Sequence, residues 1–337
     1  MSVDVSVVIP NYNGMRHLEG CFSSLEAQKF RGFEVIVVDN GSTDGSVGYI
    51  KGSRLGTKLI ELDRNYGFAA ACNRGIEASC GRYIAILNND TVVDTSWLSG
   101  LYGALENDKK AGMAASKILL NMETREIDSV GMLIYPDGIA RQRGRCEIDT
   151  GQYDDKRETL FPSGCAAMYK REMLDEIGLF DEDFFAYCED ADLGLRGRLA
   201  GWGAVFVPDA VVWHKYSGTM GQYSDFKVFH VERNRVWVAV KNFPVSWLLA
   251  APFYTILRYL FQFYSIVKGR GSSAKFVSEG SFLSGMAAVL RAHILAVAAL
   301  SSMLRKRRSG LIKISQMEFK RILNGHRVSA SELALKD

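Results

Sequence analysis

The chain is poor in the features that mark several common protein classes. Its 337 residues carry 41 Lys and Arg against 38 Asp and Glu, a net charge of +3. No strong basic field is present, which argues against nucleic acid as a partner. The six cysteines, at positions 21, 72, 80, 146, 165 and 188, include no CxxC pair. A structural zinc site is therefore not expected, and the scatter suits reduced thiols of a cytosolic compartment. Neither a GxGxxG fingerprint nor a GxxxxGK loop followed by Ser or Thr occurs, so a dinucleotide fold and a P-loop both lack support. No Ser-His-Asp or Cys-His arrangement can be assembled, which leaves a covalent mechanism without a nucleophile. From Met1 to Asp4 no basic segment followed by an apolar one precedes the first strand, so no signal peptide is expected.

What is present is an ordinary globular composition, 47% hydrophobic, in a length that suggests about two domains. Val5–Ile9 is a continuous apolar run cut by Pro10 and the turn-prone Asn11-Tyr12-Asn13-Gly14. Helix is predicted over Arg16–Gln28 and Ala69–Ser79, and strand over Val35–Asp39, Leu59–Leu62 and Tyr83–Leu87. Short, fully apolar strands alternating with helices imply a mainly parallel sheet covered on both faces. From about 113 to 160 the pattern is irregular and turn-rich. A second chemical region runs from Phe161 to Gly218 and holds a helix near Asp192–Leu199 and a strand at Ala204–Val207.

Carboxylates stand at distinct places along this α/β pattern. Ligands of open α/β sheets bind beyond the carboxyl ends of the strands. Asp39 ends one strand and can accept a hydrogen bond from a base N–H, or simply close an Asx turn. Asn65-Tyr66-Gly67-Phe68 leads into a helix whose N-terminus favours an anion, or is a plain helix-starting turn. Asp90, after Asn88 and Asn89, can bind a hard divalent cation that bridges phosphates, or be a polar strand end. Glu189-Asp190-Ala191-Asp192 opens a helix, where acids suit the dipole. Their crowding beside Phe184, Phe185 and Tyr187 also raises a carboxylate pKa and suits a general base. His214 can complete a metal shell or be a packed structural residue.

Five segments resemble glycosyltransferase family 2, the inverting enzymes with a GT-A fold. They are Val7–Gly14, Val37–Ser46, Asn65–Phe68, Leu87–Thr91 and Tyr187–Leu193, in family order and within about residues 3 to 218. The stretch from Gly164 through Phe180-Asp181-Glu182 to Trp213-His214 looks most like the branch that includes bacterial rhamnosyltransferases. The resemblance implies that Pro10, Tyr12 and Asp39 hold base and ribose, with Asn13 and Asn89 on the same donor side. Asn65, Gly67 and Asn73 would shape the ribose–diphosphate side. Asp90 would bind a Mg or Mn ion, with Asn88 standing where the family's DxD element has its first acid. Asp190 would be the catalytic base with Glu189 and Asp192 beside it, and His214 would complete the metal site. A nucleoside-diphosphate sugar, dTDP- or UDP-linked, is the implied donor. Other readings are a UDP-sugar-dependent hexosyltransferase, a non-catalytic nucleotide-sugar-binding membrane module, and a nucleotidyltransferase. The last would want a glycine-rich, basic loop after the first strand.

The expected organisation is a GT-A domain over 1–225 and a helical, membrane-associating region over 226–337. Trp247–Val267 is almost entirely apolar, with Thr255, Arg258, Gln262 and Ser265 as one polar stripe and Pro252 placed to kink it. Leu283–Leu304 is a second apolar run, followed by Arg305-Lys306-Arg307-Arg308. A transmembrane hairpin would put this cluster and the basic loop Lys268–Lys275 on opposite sides. Two helices lying in the inner-leaflet interface, on the cytoplasmic face of the inner membrane, are therefore preferred. The alternative is a soluble helical pair or a homodimer interface. A membrane position implies a lipid-linked saccharide acceptor, whose diphosphate Arg233 and Arg235 are placed to face.

Overall fold

The computed structural model describes residues 3–120, 122–215, 224–279 and 282–336. Met1 and Ser2, at the start read as leaderless, and the end of the Phe161–Gly218 stretch lie outside the described residues. The chain opens as β1 (Val5–Asn11), α1 (Met15–Glu26), β2 (Phe33–Asp39), α2 (Ser46–Gly52), β3 (Lys58–Glu61), α3 (Phe68–Glu77) and β4 (Tyr83–Leu87), with these four strands parallel in the order β3-β2-β1-β4. Alternate residues of β1 and β4 go to opposite faces. Val8, Ile84 and Ile86 join one core; Val7, Ile9, Ala85 and Leu87 join the other.

The rest of the sheet is mixed. After β5 (Thr91–Val93) and α4 (Trp97–Asn107) comes β6 (Ala111–Leu119), then the short β7 (Ile127–Ser129) and a separate hairpin of β8 (Met132–Ile134) with β9 (Ala140–Gln142). β10 (Ala166–Lys170) runs antiparallel between β4 and β6, and the long β11 (Gly203–His214) continues the sheet beyond β6 to β5. The expectation of irregular structure over 113–160 is thus corrected. All nine residues of β6 are buried in the middle of the sheet. Its Ala, Gly and Ser content carries little strand propensity, and pairing on both edges overrides it. The strand read at Ala204–Val207 extends to His214 through a register shift between Val207 and Val211, where Pro208 cannot donate to the ladder.

Beyond α5 (Arg171–Ile177), a single 3-10 turn at Glu182–Phe184 and α6 (Glu189–Leu199), the C-terminal part is helical. It comprises α7 (Asp225–Asn242), α8 (Val245–Val267), α9 (Ser272–Glu279), α10 (Phe282–Ala298), α11 (Leu300–Ser309), α12 (Gln316–Gly325) and α13 (Ala330–Leu335). Trp237 and Val238 of α7, Ala296 of α10 and Phe319 of α12 share one core cluster with β1, β4 and β10. The polar stripe of α8 faces inward. Arg258 is fully buried, donating from Nε to Asp137 at 2.7 Å and from Nη1 and Nη2 to Glu232 at 2.8 and 2.9 Å. The opposite face of α8 leaves Leu249, Phe253, Ile256, Leu260, Phe263 and Val267 exposed.

The second apolar run is not one helix, because α10 and α11 meet at a 55° bend. Among the described residues no single helix is long and apolar enough to cross a membrane; that bent pair passes by length and composition only. The basic cluster is also partly absorbed by the fold. Lys306 binds Asp181 and Asp183, and Arg307 donates to the Val240 carbonyl, leaving Arg305 and Arg308 exposed.

Removing one member of a buried ion cluster strands the others. Arg258→Met is expected to cost about 3–5 kcal/mol of folding free energy, against less than about 0.5 kcal/mol for Leu260→Met on the exposed face. Chemical denaturation of the two variants checks this, and equal losses would mean that Arg258 is not an anchor.

Candidate active site

The strand ends of the parallel half form one edge of a cavity of about 1390 Å³. Pro10 and Tyr12 come to it from β1, Asn65 and Gly67 from the turn before α3, and Asn88, Asn89 and Asp90 from the end of β4. Glu189 and Asp190 come from the start of α6, and His214 from the end of β11. These ten residues, all singled out from sequence, therefore share one cavity. The same cavity continues between the helices, past Tyr259 and Phe263 of α8 to Met286 and Leu290 of α10.

Polar side chains tie the strand ends together. Asn89 Nδ2 donates to Asn11 Oδ1 at 2.7 Å, Asn11 Nδ2 to Asp39 Oδ1 at 2.8 Å, and the Ser42 amide to Asp39 Oδ2 at 2.9 Å. Asn40 holds the donor-side turn: its Nδ2 donates to Asn65 Oδ1 and the Gly67 carbonyl, and its Oδ1 accepts from the Tyr66 amide. Gly67 sits at φ 91°, and a Cβ there would lie 2.4 Å from the Phe185 carbonyl oxygen. Only glycine fits this approach.

Four residues expected at the site do not line the cavity. Asp39 is 2% exposed and ends its strand in the turn arrangement just described. Asn13, at φ 49°, accepts from the Thr43 amide and stitches its loop to the next. Asn73 is buried on the inner side of α3, donating to the Phe180 carbonyl and Glu182 and accepting from the Phe180 amide. Asp192 is fully buried and pairs with Lys241 at 2.8 Å and Arg196 at 2.9 Å. Two helical positions separate it from Asp190, a rotation of about 200°, so the two acids cannot face one centre. Arg235 is likewise withdrawn, buried against Glu232 at 2.7 Å and donating to the Asp137 carbonyl at 3.2 Å. Arg233 lies over the Trp237 ring and donates to the Phe184 carbonyl.

The acid pair is shaped by desolvation. Glu189 is buried, and its Oε2 has no hydrogen-bond partner among the described residues. Burial, reinforced by the charge of Asp190, holds its carboxyl well above the usual range. Burial also raises Asp190, but Oδ2 accepts from the Gly164 amide at 2.9 Å and Oδ1 from the Ala191 amide at 2.8 Å, which resist the rise. Burial thus raises both acids, Glu189 the further, while the two backbone amides favour the ionised form of Asp190. Asp192 goes the opposite way: burial pushes it up, but Arg196, Lys241 and Asn242 outweigh this and hold it at about 2.

Among the described residues, Asn88 and Asp90 each present a buried Oδ1 to which no group donates a hydrogen bond. His214 Nε2 lies 3.4 Å from that Asp90 oxygen, and its Nδ1 lies 2.9 Å from Asp128, which also pairs with Arg145. Burial alone would favour a neutral imidazole, but Cys165, Asp128 and Asp90 outweigh it and raise its pKa, so an ion at Nε2 would have to displace a proton there while Nδ1–H stays on Asp128. Among the described residues no group of three or more His, Cys, Asp and Glu is arranged to hold a metal by itself. The orphaned oxygens, with a histidine oriented by a carboxylate behind it, nevertheless fit a Mg or Mn ion that takes its remaining ligands from phosphate and water. Asp128 carried no signal in the sequence, since it lies in a three-residue strand far from the motifs.

The model of the family described as Glycosyl transferase family 2 matches residues 6–178. N-acetylglucosaminyl-diphospho-decaprenol L-rhamnosyltransferase of Mycobacterium tuberculosis is 29% identical over 280 residues, covering 72% of this chain and 88% of the relative. Poly-beta-1,6-N-acetyl-D-glucosamine synthase of Staphylococcus aureus is 23% identical over 219 residues, 64% of this chain and 51% of that protein. Among solved structures, a mannosyltransferase from Pyrobaculum calidifontis in complex with GDP-Man and Mn2+ superposes with a TM-score of 0.54 at 16% identity, over 90% of this chain and 88% of that one. TarS 1–349 of S. aureus in complex with UDP-GlcNAc gives 0.54 at 16% identity, over 96% and 91%. At such identities the solved structures speak for the fold, which is GT-A, a mixed, mainly parallel sheet flanked by helices.

The two buried acids should affect stability with opposite signs. An unfolded glutamate ionises near 4.5, whereas folded Glu189 keeps its proton, so the native state is penalised as pH rises above that value. Glu189→Gln should therefore melt higher than the wild type at pH 7, and the gap should close below about pH 4. Asp192 stabilises above its ordinary 3.8, and that contribution is lost as pH falls through about 2. Asp192→Asn should accordingly melt lower at pH 7. Melting curves across pH check both; a Glu189→Gln gap that persists in acid would contradict the desolvation account.

Proposed function

The chain belongs to glycosyl transferase family 2 and is a glycosyltransferase; from that premise we propose that it works with inversion, taking a sugar from a nucleoside-diphosphate donor to a lipid-linked glycan acceptor. Rhamnose, the sugar in the mycobacterial relative's name, is the one we favour, carried on dTDP by this proposal and used in bacterial surface-polysaccharide assembly. The observation that carries the reading is the single cavity that holds the desolvated Glu189–Asp190 pair together with the orphaned oxygens of Asn88 and Asp90 and then runs on between apolar helices. A UDP-linked hexose is the second reading, favoured by the likeness to TarS in complex with UDP-GlcNAc.

In this proposal Pro10, Tyr12, Asn65 and Gly67 receive the nucleoside side of the donor, with Asn89 tied to Asn11 beneath it. A bound Mg or Mn ion would neutralise charge developing on the departing diphosphate. Asp90, His214 and the Asn88 amide oxygen are the groups that would hold it. Asp190 accepts the proton of the acceptor hydroxyl on a lone pair not used by Gly164 or Ala191. The hydroxyl oxygen forms its bond to the anomeric carbon from the face opposite the diphosphate. The carbon–oxygen bond to the diphosphate breaks, and its electron pair leaves with the phosphate. Protonated Glu189 keeps a second negative charge away from the base.

The lipid-linked acceptor and the membrane belong to the same proposal. Residues 1–225 would carry the donor site and 226–337 the acceptor and membrane side, at the cytoplasmic face of the inner membrane. Supporting this, α8 exposes Leu249, Phe253, Ile256, Leu260, Phe263 and Val267, and α10 exposes Leu283, Met286, Leu290, Ile294 and Val297. Contiguous apolar faces of this kind mark interaction surfaces. The exposed Arg305 and Arg308 suit anionic lipid beside them.

Two measurements test the proposal. Asp190→Asn should lower turnover by about 10²–10⁴-fold while retaining the wild-type thermal shift with dTDP or UDP in the presence of Mn or Mg. Full activity in this variant would remove Asp190 as the base; a thermal shift with no transfer by the wild type would leave a binding module. In flotation with anionic vesicles, Phe253→Glu combined with Leu290→Glu should weaken binding about tenfold or more. Undiminished binding would remove the in-plane helices. A wild-type dimer in solution that these substitutions dissociate would assign the faces to a homodimer instead.

A further inference from the structure

The acid pair is delivered by a short and unfavourable piece of backbone. Phe185, Tyr187 and Cys188, the residues leading directly into Glu189 and Asp190, adopt φ of 64°, 67° and 67°. Three non-glycine residues in the left-handed region within four positions persist only where their surroundings over-determine them. The same segment touches the donor-side turn: the Ala69 amide donates to the Phe185 carbonyl at 3.3 Å, and Gly67 has no room for a Cβ beneath that oxygen. Its placement therefore sets the distance between the donor turn and the acids.

One side chain supplies most of the restraint. Asn234, fully buried on α7, directs Nδ2 at three successive acceptors, the carbonyls of Phe184 at 2.9 Å, Ala186 at 2.9 Å and Tyr187 at 2.7 Å. Two amide hydrogens serve three carbonyls, one of them shared. The amide orientation is set from its other end, since Arg233 Nε donates to Asn234 Oδ1 at 2.9 Å. Arg233 in turn donates from Nη2 to the Asp183 and Phe184 carbonyls. An apolar side chain could not replace this bracket: the Phe184 carbonyl would keep the Ala186 amide at 2.8 Å and Arg233, but the Ala186 and Tyr187 carbonyls would lose the donor that Asn234 gives them.

We propose that Asn234 is a positioning residue that pins the left-handed turn Phe185–Cys188 and thereby aims Glu189 and Asp190 at the reacting centre. It touches neither acid. This inference rests on the glycosyltransferase reading with Asp190 as base. A displacement of the base by about 1 Å costs on the order of 10²-fold in rate. The expected signature is a fall in kcat without a matching change in donor affinity, because the donor-side turn is held separately by Asn40.

The experiment compares kcat, donor KM and nucleoside-diphosphate Kd for wild type, Asn234→Ala, Asn234→Ser and Val238→Ala. Val238 is fully buried on the same helix and provides a control for destabilisation alone. Asn234→Ala should lose about 10–100-fold in kcat, with donor KM and Kd within about twofold. Asn234→Ser, which restores one donor, should recover part of the loss and remains informative where the alanine variant fails to fold. A kcat within about twofold of wild type in the variants that fold, or an equal fall in Val238→Ala at matched melting temperature, overturns the proposal and leaves the transferase reading intact. Absence of any donor turnover by the wild type with every nucleotide sugar tried removes the reading itself, and this inference with it.

Discussion

Four fully or nearly buried charges, Asp137, Glu232, Arg235 and Arg258, hold α7 and α8 to the turn of the β8–β9 hairpin. Two acids and two guanidiniums balance one another, and the remaining donors of Arg235 reach Thr255, Tyr259 and His293. Burying charge is costly unless every partner is present, so the cluster tolerates one arrangement of the β8–β9 turn, α7 and α8. That arrangement decides much else. It turns the polar stripe of α8 inward and its apolar face outward. It also seats α7 where Asn234 can reach the turn before the acid pair and Lys241 can reach Asp181 and Asp192.

The same physics of desolvation, differently satisfied, produces the chemistry. Asp192 is buried with two cations and an amide and stays ionised. Glu189, three residues away in sequence, is buried with an oxygen to which no described residue donates, and its carboxyl is pushed well above the usual range. Asp190 lies between these extremes because backbone amides partly replace water. The cavity wall thus combines a protonated acid, a carboxylate and a cation-seeking pair of oxygens, a set suited to moving a proton and accommodating a diphosphate together.

The legible part of this protein was its parallel half and the turns at the strand ends. Apolar runs at Val5, Val35 and Tyr83 are unambiguous because a strand covered on both faces must be apolar throughout. The turn residues beyond them must lie at the carboxyl edge. β6 was hidden because Ala, Gly and Ser carry no strand signal, and its nine residues are strand only through their neighbours. Asp128 and Asn234 were hidden for a related reason. A residue that acts by hydrogen-bonding a distant backbone or ring leaves no pattern in its own segment. Arg233 and Arg235, read as facing an acceptor diphosphate, show the converse: their charge was visible, but not the carbonyls and carboxylates that consume it.

Sequence by itself determined the family, the succession of the first four strands and their helices along the chain, the presence of an acid at each critical turn and the two-faced character of α8, because these follow from local pattern and period. Tertiary structure alone decided which acids share a cavity and which are spent on ion pairs, and which way each faces. Asp190 and Asp192 are indistinguishable as letters in one short motif. A rotation of about 200° about the helix axis puts one in the cavity and the other against Lys241, and only the packing of α6 on α7 fixes which is which.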